Sequence, residues 1–343
     1  MQNNHQFILS FEKKLAAINA DDITDQPYCK KYFLHLLQNK RYYLTIYTHV
    51  LKLLLVHSRL KKEELVVVDY GAGNGLLGLF AKHCGFNKVY INDLDENFLK
   101  AAEKLSLLLN IKINGLIKGD IDNVSNALAS EPPQAIIGTD VIEHIYNLDV
   151  FFSQLQLLNP GITSVFTTGS NTANLYKTRQ LKKLQLKDEY KGWLPGEEGI
   201  FLGDGSADSF ENSRRKIIGE YFVSLSAAEK EQLVIHTRGL IKADILLAGQ
   251  KYLHDKILPP LLKHPTNTCD PLSGSWTERL LTIDEYKFIY DNAAFKLKVY
   301  NGFYNQYSMS FKSKLMKVAN ICIKIFGKKV SPFIFLAGTG TNK

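Results

Sequence analysis

The run VVVDYGAGNGLLGLFAK, residues 66–82, constrains this chain more than any other stretch. A β-branched apolar segment ends in an acid, Asp69, glycine follows at 71, 73 and 75, and the apolar positions then switch to helical spacing. A buried strand turning tightly into a helix has this pattern. Glycine lets the backbone bend sharply and lets a ligand approach the main chain, while the free N–H groups at the helix start attract an anionic group. The turn therefore predicts a nucleotide-like ligand. The alternative is that a tight strand-to-helix turn collects glycine for packing alone.

The flanking sequence sets this turn in a repeating layout. Short β-rich runs (LVVVDY, KVYIND, GLIKGD, QAIIGTD, ITSVFTTG) alternate with helical stretches at 75–84, 95–109, 121–129 and 147–158. Such alternation gives right-handed βαβ crossovers and a parallel sheet with helices on both faces. Residues 1–62 read as a helical N-terminal lead-in, with Tyr32, Leu36, Tyr43, Ile46, Val50 and Leu54 at helical spacing, and 63–170 as the Rossmann-like core. From 171 to 275 the alternation stops. Charged helical pieces, glycine turns (GWLPGEEG, FLGDGSADS) and a proline loop (HPTNTCDPLSGSW) form a segment too long for a connection, which predicts an inserted cap. Residues 276–343 then complete the core with a helix at TIDEYKFIYDNAA, a strand at 295–301, an amphipathic helix at 309–327 and a last strand at 331–337.

Composition excludes some classes of function. With 45% hydrophobic and 22% charged residues the chain is an ordinary folded protein rather than collagen, coiled coil or disordered. The net charge of +8 selects no partner by itself, and no dense Arg/Lys tract with interleaved aromatics points to nucleic acid. Cys29, Cys84, Cys269 and Cys322 lack paired spacing, and His254 with His264 lack partners at zinc spacing, so neither a disulfide framework nor a metal site is expected. No run reaches the ~18 apolar residues needed to span a bilayer, and no N-terminal leader pattern is present; a cytoplasmic location is expected.

The second strand ends in Asp93, 22 residues after Gly71, the distance expected for an acid that accepts from ribose hydroxyls. Leu94 beyond it is placed to pack on an adenine face. Asp120 and Ile121, after the third strand, are placed to receive the adenine amino group and to cover its other face.

The segments VVVDYGAGNG, YINDLD, KGDI and IIGTDVIEHI resemble the Rossmann-like S-adenosylmethionine-dependent methyltransferases over about Leu65 to Gly169. The DVIEHI run is similar to the ubiquinone-type O-methyltransferase branch. TRGL, HPTNTCDPLSGSW and the closing strand are similar to bacterial methyltransferases of glycan or secondary-metabolite pathways. The resemblance implies an α/β sheet of order 3-2-1-4-5-7-6 with strand seven antiparallel. It implies S-adenosyl-L-methionine as methyl donor, with S-adenosyl-L-homocysteine as its product. Gly71, Gly73 and Gly75 would approach the methionine moiety, Asp69 would help to hold its ammonium, and Asp93, Asp120 and Ile121 would hold the adenosine. Thr139 and Asp140 would stand beside the methionine tail. Gln134 departs from the family pattern, in which an acid often opens this strand. A nicotinamide-dependent oxidoreductase is the competing use of such a core, but its G-x-G-x-x-G fingerprint, forced onto Gly73, Gly75 and Gly78, puts the first glycine past the turn.

For the acceptor, His144 is the candidate general base, with the alternative that Glu143 and His144 brace the loop after the fourth strand. Trp193, His236, Arg238, His264, Asp270, Trp276 and Arg279 are candidate contacts to a polar ring substrate; singly, each is also explained as cap core or paired surface. The single Asp140 lacks the acid cluster of magnesium-dependent catechol-type enzymes, and no N/D-P-P-Y/F run suggests methylation of DNA bases. The expected activity is methyl transfer to oxygen of a small polar or glycan-type metabolite; a non-enzymatic sensor or scaffold that binds the same donor is the alternative. In the helix at 309–327, Phe311, Leu315, Val318, Cys322, Ile325 and Phe326 share one face, and Lys317, Asn320, Lys324 and Lys328 the other. This stripe is expected to pack on the sheet between the last two strands; its second use is peripheral contact with an anionic membrane surface.

Overall fold

The computed structural model describes residues 2–194, 208–307 and 311–341, with side chains from residue 5 onward and excluding those of Phe311 and Lys312. Most of the two glycine turns read at 192–199 and 201–209, and Met309, lie outside the described residues. The chain forms two compact units: Met1–Ile142 with Asn147–Gly169 and Ile283–Lys343, and Glu143–Tyr146 with Ser170–Thr282.

The first unit is built on a seven-stranded sheet: β1 (Val66–Tyr70), β2 (Lys88–Asp93), β3 (Gly115–Lys118), β4 (Ala135–Thr139), β5 (Thr163–Thr168), β6 (Phe295–Asn301) and β7 (Ile334–Gly340). Their order is β3-β2-β1-β4-β5-β7-β6. The first five are parallel, and β7 runs antiparallel to both β5 and β6. This is the Rossmann-like methyltransferase sheet. Burial on both faces explains why the central strands read as continuous apolar runs. Val67, Val89, Ile91, Ile137 and Val165 face a core shared with the helices Lys40–Ser58, Leu76–His83 and Glu96–Leu109. On the other face Phe166 meets Phe151, while Phe152 packs between Tyr290 and Phe295.

Two expectations are corrected here. The last strand begins at Ile334 rather than 331, because the Ser331 hydroxyl donates to the Phe333 carbonyl at 2.6 Å and holds 331–333 in a turn. The stripe on the helix Phe311–Phe326 does not pack on the sheet. Leu315, Val318, Ile325 and Phe326 are exposed, and the face turned inward carries Ser313, Asn320 and Ile323. Asn320 fixes that orientation: its side-chain oxygen accepts from the Tyr304 N–H at 2.7 Å, and its amide donates to the Tyr304 carbonyl at 3.1 Å.

The second unit contains the helices Leu175–Tyr190, Phe210–Tyr221, Ala227–His236 and Lys242–Asp255. Ile217, Ile218, Phe222, Leu225, Leu233, Val234 and Ile245 form its apolar core. Beside this core Arg214 and Glu189, both buried, are paired in a fork, with the Thr268 hydroxyl donating to the same carboxylate at 2.6 Å and Arg214 Nε to the Val234 carbonyl. The full set of partners is what makes two buried charges tolerable. Gln185 and Asn267 interlock at 3.0 Å and tie the helix Leu175–Tyr190 to the segment 277–280.

Candidate functional site

The glycine-rich turn follows β1 directly. Gly71, Gly73 and Gly75 all have positive φ, at 60°, 54° and 71°, a region that side chains with a Cβ rarely enter. Packing also requires them. A Cβ on Gly71 would lie 2.3 Å from Val141 Cγ2, and one on Gly73 would lie 2.9 Å from the Tyr32 ring. Gly75 is pressed against Ile91 and Ala102. Conformation and packing thus account for the glycines without a ligand, and the weight of the site moves to the acids around them.

Asp69 is 1% exposed, and one carboxylate oxygen accepts the Gly78 N–H at 2.7 Å, tying the end of β1 to the helix Leu76–His83. Burial pushes its pKa up to about 8, opposed by the Gly78 hydrogen bond and reinforced by the nearby Asp93 charge. Asp93, half-buried at the end of β2, accepts the Gly73 N–H at 2.8 Å through one oxygen and the Asp95 N–H at 2.9 Å through the other. Its pKa is also raised, first by burial, against the pull of those hydrogen bonds. A carboxylate has about four lone-pair positions, so two backbone donors leave capacity for hydroxyl donors.

The third strand end is joined to the first two by a residue not anticipated from sequence. Asn92, buried in β2, donates to the carbonyls of Ile117 and Gly119 at 3.0 and 2.8 Å, while the Ala72 N–H donates to the Asn92 carbonyl at 2.9 Å. Beyond β3, Asp120 caps the helix Ile121–Ala127, accepting from the N–H groups of Asp122 and Asn123, with Asn123 returning a bond to the Asp120 N–H. Ile121 is buried, and Leu94 is exposed at 68%.

Thr139 ends β4. Asp140 follows with φ 53°, a left-handed conformation that Asp tolerates better than most residues. Its N–H donates to the Thr167 carbonyl at 3.2 Å. Three tyrosines of the N-terminal helices feel its charge: the hydroxyl pKa values of Tyr32, Tyr42 and Tyr43 are raised, first by burial and next by Asp140. The helix Pro27–Gln38 carries Tyr32 over Gly73 and is held there by the Asn74 amide, which donates to the Cys29 carbonyl at 3.2 Å. Tyr28, its pKa pushed up to about 12 by burial and then by Cys29, Asp93 and Asp95, stands on the ribose-acid side. Sequence spacing marked Tyr32 and Tyr43 only as apolar helix positions; nothing in the sequence tied them to the turn.

The acceptor candidates lie in the second unit. His144 Nδ1 is 2.7 Å from the Trp276 carbonyl, the Trp276 N–H donates to the His144 carbonyl at 3.3 Å, and the Arg279 N–H donates to the Glu143 carbonyl. A carbonyl only accepts, so Nδ1 carries the proton. Trp276 is buried, donates through Nε1 to the Tyr146 carbonyl at 2.9 Å, stacks on Tyr146, and has the Arg279 guanidinium 4.4 Å from its ring centre. Trp193 donates to Asp188 at 2.6 Å beneath the Lys187 ammonium, and His236 Nδ1 meets the Pro259 carbonyl at 2.7 Å. Arg238 and His264 are half-buried, and Asp270 closes its own turn by accepting from Leu272 N–H and the Ser273 hydroxyl. Trp276, Arg279 and His144 thus form one cluster; Trp193 and His236 are fixed through separate partners. No group of three or more His, Cys, Asp or Glu able to hold a metal ion occurs among the described residues.

No protein-family model matches the chain, and no curated protein matches it. Among solved structures it is similar to an S-adenosylmethionine-dependent methyltransferase from Mesorhizobium loti (12% identity, 82% of this chain and 93% of that one, TM-score 0.36). It is similar also to one from Archaeoglobus fulgidus (11%, 90% and 99%, TM-score 0.40). Of a point mutant of MtNAS it spans only 52% of the length, with 43% of this chain covered, at 14% identity and TM-score 0.32. Likenesses this faint carry no argument about chemistry; the fold assignment stands on the strand order.

Proposed function

We propose that this protein transfers a methyl group from S-adenosyl-L-methionine to an oxygen of a small polar or glycan-type metabolite, leaving S-adenosyl-L-homocysteine. The observation that carries this reading is Asp93. Its carboxylate is held across the glycine-rich turn by the Gly73 and Asp95 N–H groups, with acceptor capacity to spare at the end of the second strand. A vicinal diol is the natural complement of such a group.

The residues around the turn fit an adenosyl sulfonium amino acid. Four acidic side chains, Asp69, Asp93, Asp120 and Asp140, stand within two residues of the ends of β1 to β4, suiting a ligand that brings hydroxyls, an amino group and positive charge. The buried side-chain oxygen of Asn74, between Gly73 and Gly75, has no hydrogen-bond partner among the described residues and is ready to accept from a donor. When bound, S-adenosyl-L-methionine supplies an electrophilic methyl carbon on sulfur. Asp93 would take the ribose hydroxyls, Ile121 and the exposed Leu94 the adenine faces, and Asp120 its amino group. Asp69 and Asp140, with Thr139, would face the amino-acid tail.

The chain's remaining task is to hold a hydroxyl acceptor for in-line attack and to remove its proton. We assign the proton to His144. Its Nδ1–H is fixed on the Trp276 carbonyl, so Nε2 is the ring nitrogen that would take the acceptor's proton.

The test is calorimetry with S-adenosyl-L-methionine and S-adenosyl-L-homocysteine, followed by a methyl-release assay over hydroxylated acceptors. Both compounds should bind, and His144→Ala should abolish transfer while preserving donor affinity. Binding of a nicotinamide or flavin compound in their place would refute the reading; donor binding without transfer to any acceptor would mark a sensor.

A further inference from the structure

The charge of this chain is distributed very unevenly. Residues 292–343 contain nine lysines (296, 298, 312, 314, 317, 324, 328, 329, 343) and no arginine, aspartate or glutamate. Their formal +9 exceeds the +8 of the whole chain, leaving residues 1–291 at 33 − 34 = −1. Six of the nine lie on or just after the helix Phe311–Phe326, as Lys312, Lys314, Lys317, Lys324, Lys328 and Lys329. That helix contains no acid, and its apolar residues Leu315, Val318, Ile321, Ile325 and Phe326 are each more than half exposed, Ile325 at 71%.

These residues form a pattern. Positions 315, 318, 321 and 325 recur at three- and four-residue steps and make one outward stripe, while Ser313, Asn320 and Ile323 dock the opposite face. Lys314, Lys317 and Lys324 each precede a stripe residue by one position. At about 100° per residue Lys317 and Lys324 therefore line one flank of the stripe, and Lys314 stands at its N-terminal end. Lys328 and Lys329 extend the charge past the helix end.

We infer that this helix lies in the headgroup region of an anionic phospholipid bilayer, with Leu315, Val318, Ile321, Ile325 and Phe326 turned into the acyl boundary and the lysines on lipid phosphates and carboxylates. Charge complementarity selects an anionic surface, and the stripe selects a bilayer. A nucleic-acid backbone would engage the lysines and leave five large apolar side chains in water, whereas a bilayer takes both. No helix among the described residues is long and apolar enough to cross a membrane, so the contact is peripheral.

The test uses the full chain in flotation with phosphatidylcholine vesicles, with and without phosphatidylserine. Binding is expected only to the serine-containing vesicles. The double variant Ile321→Asn/Ile325→Asn should weaken it at least tenfold, from the apolar area withdrawn. Lys314→Gln/Lys317→Gln/Lys324→Gln should weaken it about a hundredfold, at roughly fivefold per lysine near an anionic surface. All five residues are exposed, so thermal melting of both variants should match the parent. Three results would overturn the inference: no binding to the anionic vesicles; binding that the isoleucine variant leaves intact; or a dimer in solution that the isoleucine variant dissolves, which would give the stripe to a second copy of the chain.

Discussion

Asp69 lets a prediction be worked from a single side chain. Its carboxyl is buried, with one hydrogen bond from Gly78, and its pKa rises from the ordinary 3.8 to about 8, chiefly through burial. The folded state therefore binds a proton that the unfolded state has released. Stability from this group is fully present below pH ~4, is lost as pH rises toward 8, and is level above that. At pH 7 the loss is on the order of 4 kcal/mol, from 1.36 kcal/mol for each unit between 3.8 and 7. Asp69→Asn keeps an oxygen for the Gly78 N–H but cannot ionise. It is expected to be less stable than the parent at pH 4, by about 1–3 kcal/mol for an ill-placed amide. Its standing should then improve by roughly 1.4 kcal/mol per unit between pH 5 and 8. Urea unfolding across that range, read as the difference between the two proteins, cancels the other titrating groups. Circular dichroism follows both units. Tryptophan fluorescence follows only the second, which holds both Trp193 and Trp276, so the first unit is obtained by difference. Two curves that stay parallel from pH 5 to 8 would refute the reasoning. If the donor's ammonium meets this carboxyl, binding at pH 7 should also release about 0.9 proton, measured by calorimetry in buffers of different ionisation enthalpy.

Asp93→Ala is expected to cost donor affinity ~1.5–3 kcal/mol, the worth of a charged hydrogen-bonding partner, and unchanged affinity by calorimetry would contradict the ribose assignment. Gly71→Ala should destabilise the first unit by about 2–4 kcal/mol in urea titration, combining a left-handed backbone with a clash on Val141; adding Val141→Ala should return the steric part and leave the backbone part. Arg214→Met strands Glu189 and should cost the second unit about 3–5 kcal/mol by fluorescence-detected unfolding, most of it regained when Glu189→Leu is added.

The sheet was legible because its β-rich runs alternate with helical stretches, and the glycine turn with Asp93 located the candidate site. What the sequence hid has a common cause: periodicity reports that a side has one character, not which way it faces. The stripe at 315–325 has the same spacing whether it meets the sheet or the solvent, and Asn320, read only as a member of the opposite face, is the side chain that decides. Asn92 was invisible for a related reason: a polar residue inside a strand signals nothing until its carbonyl partners at 117 and 119 are brought beside it. Tyr32 and Tyr43 were counted as apolar helix positions, and only packing brings their hydroxyls under the influence of Asp140.

The backbone crosses between the two units four times, after Ile142, Tyr146, Gly169 and Thr282, because Glu143–Tyr146 belongs with the later segment. A chimera made by splicing out 170–282 as one cassette would leave that tetrapeptide behind, stripped of its bonds to Trp276, Arg279 and Asp244. Moving the second unit intact into another protein would require two grafts made together, the short one carried along with the long.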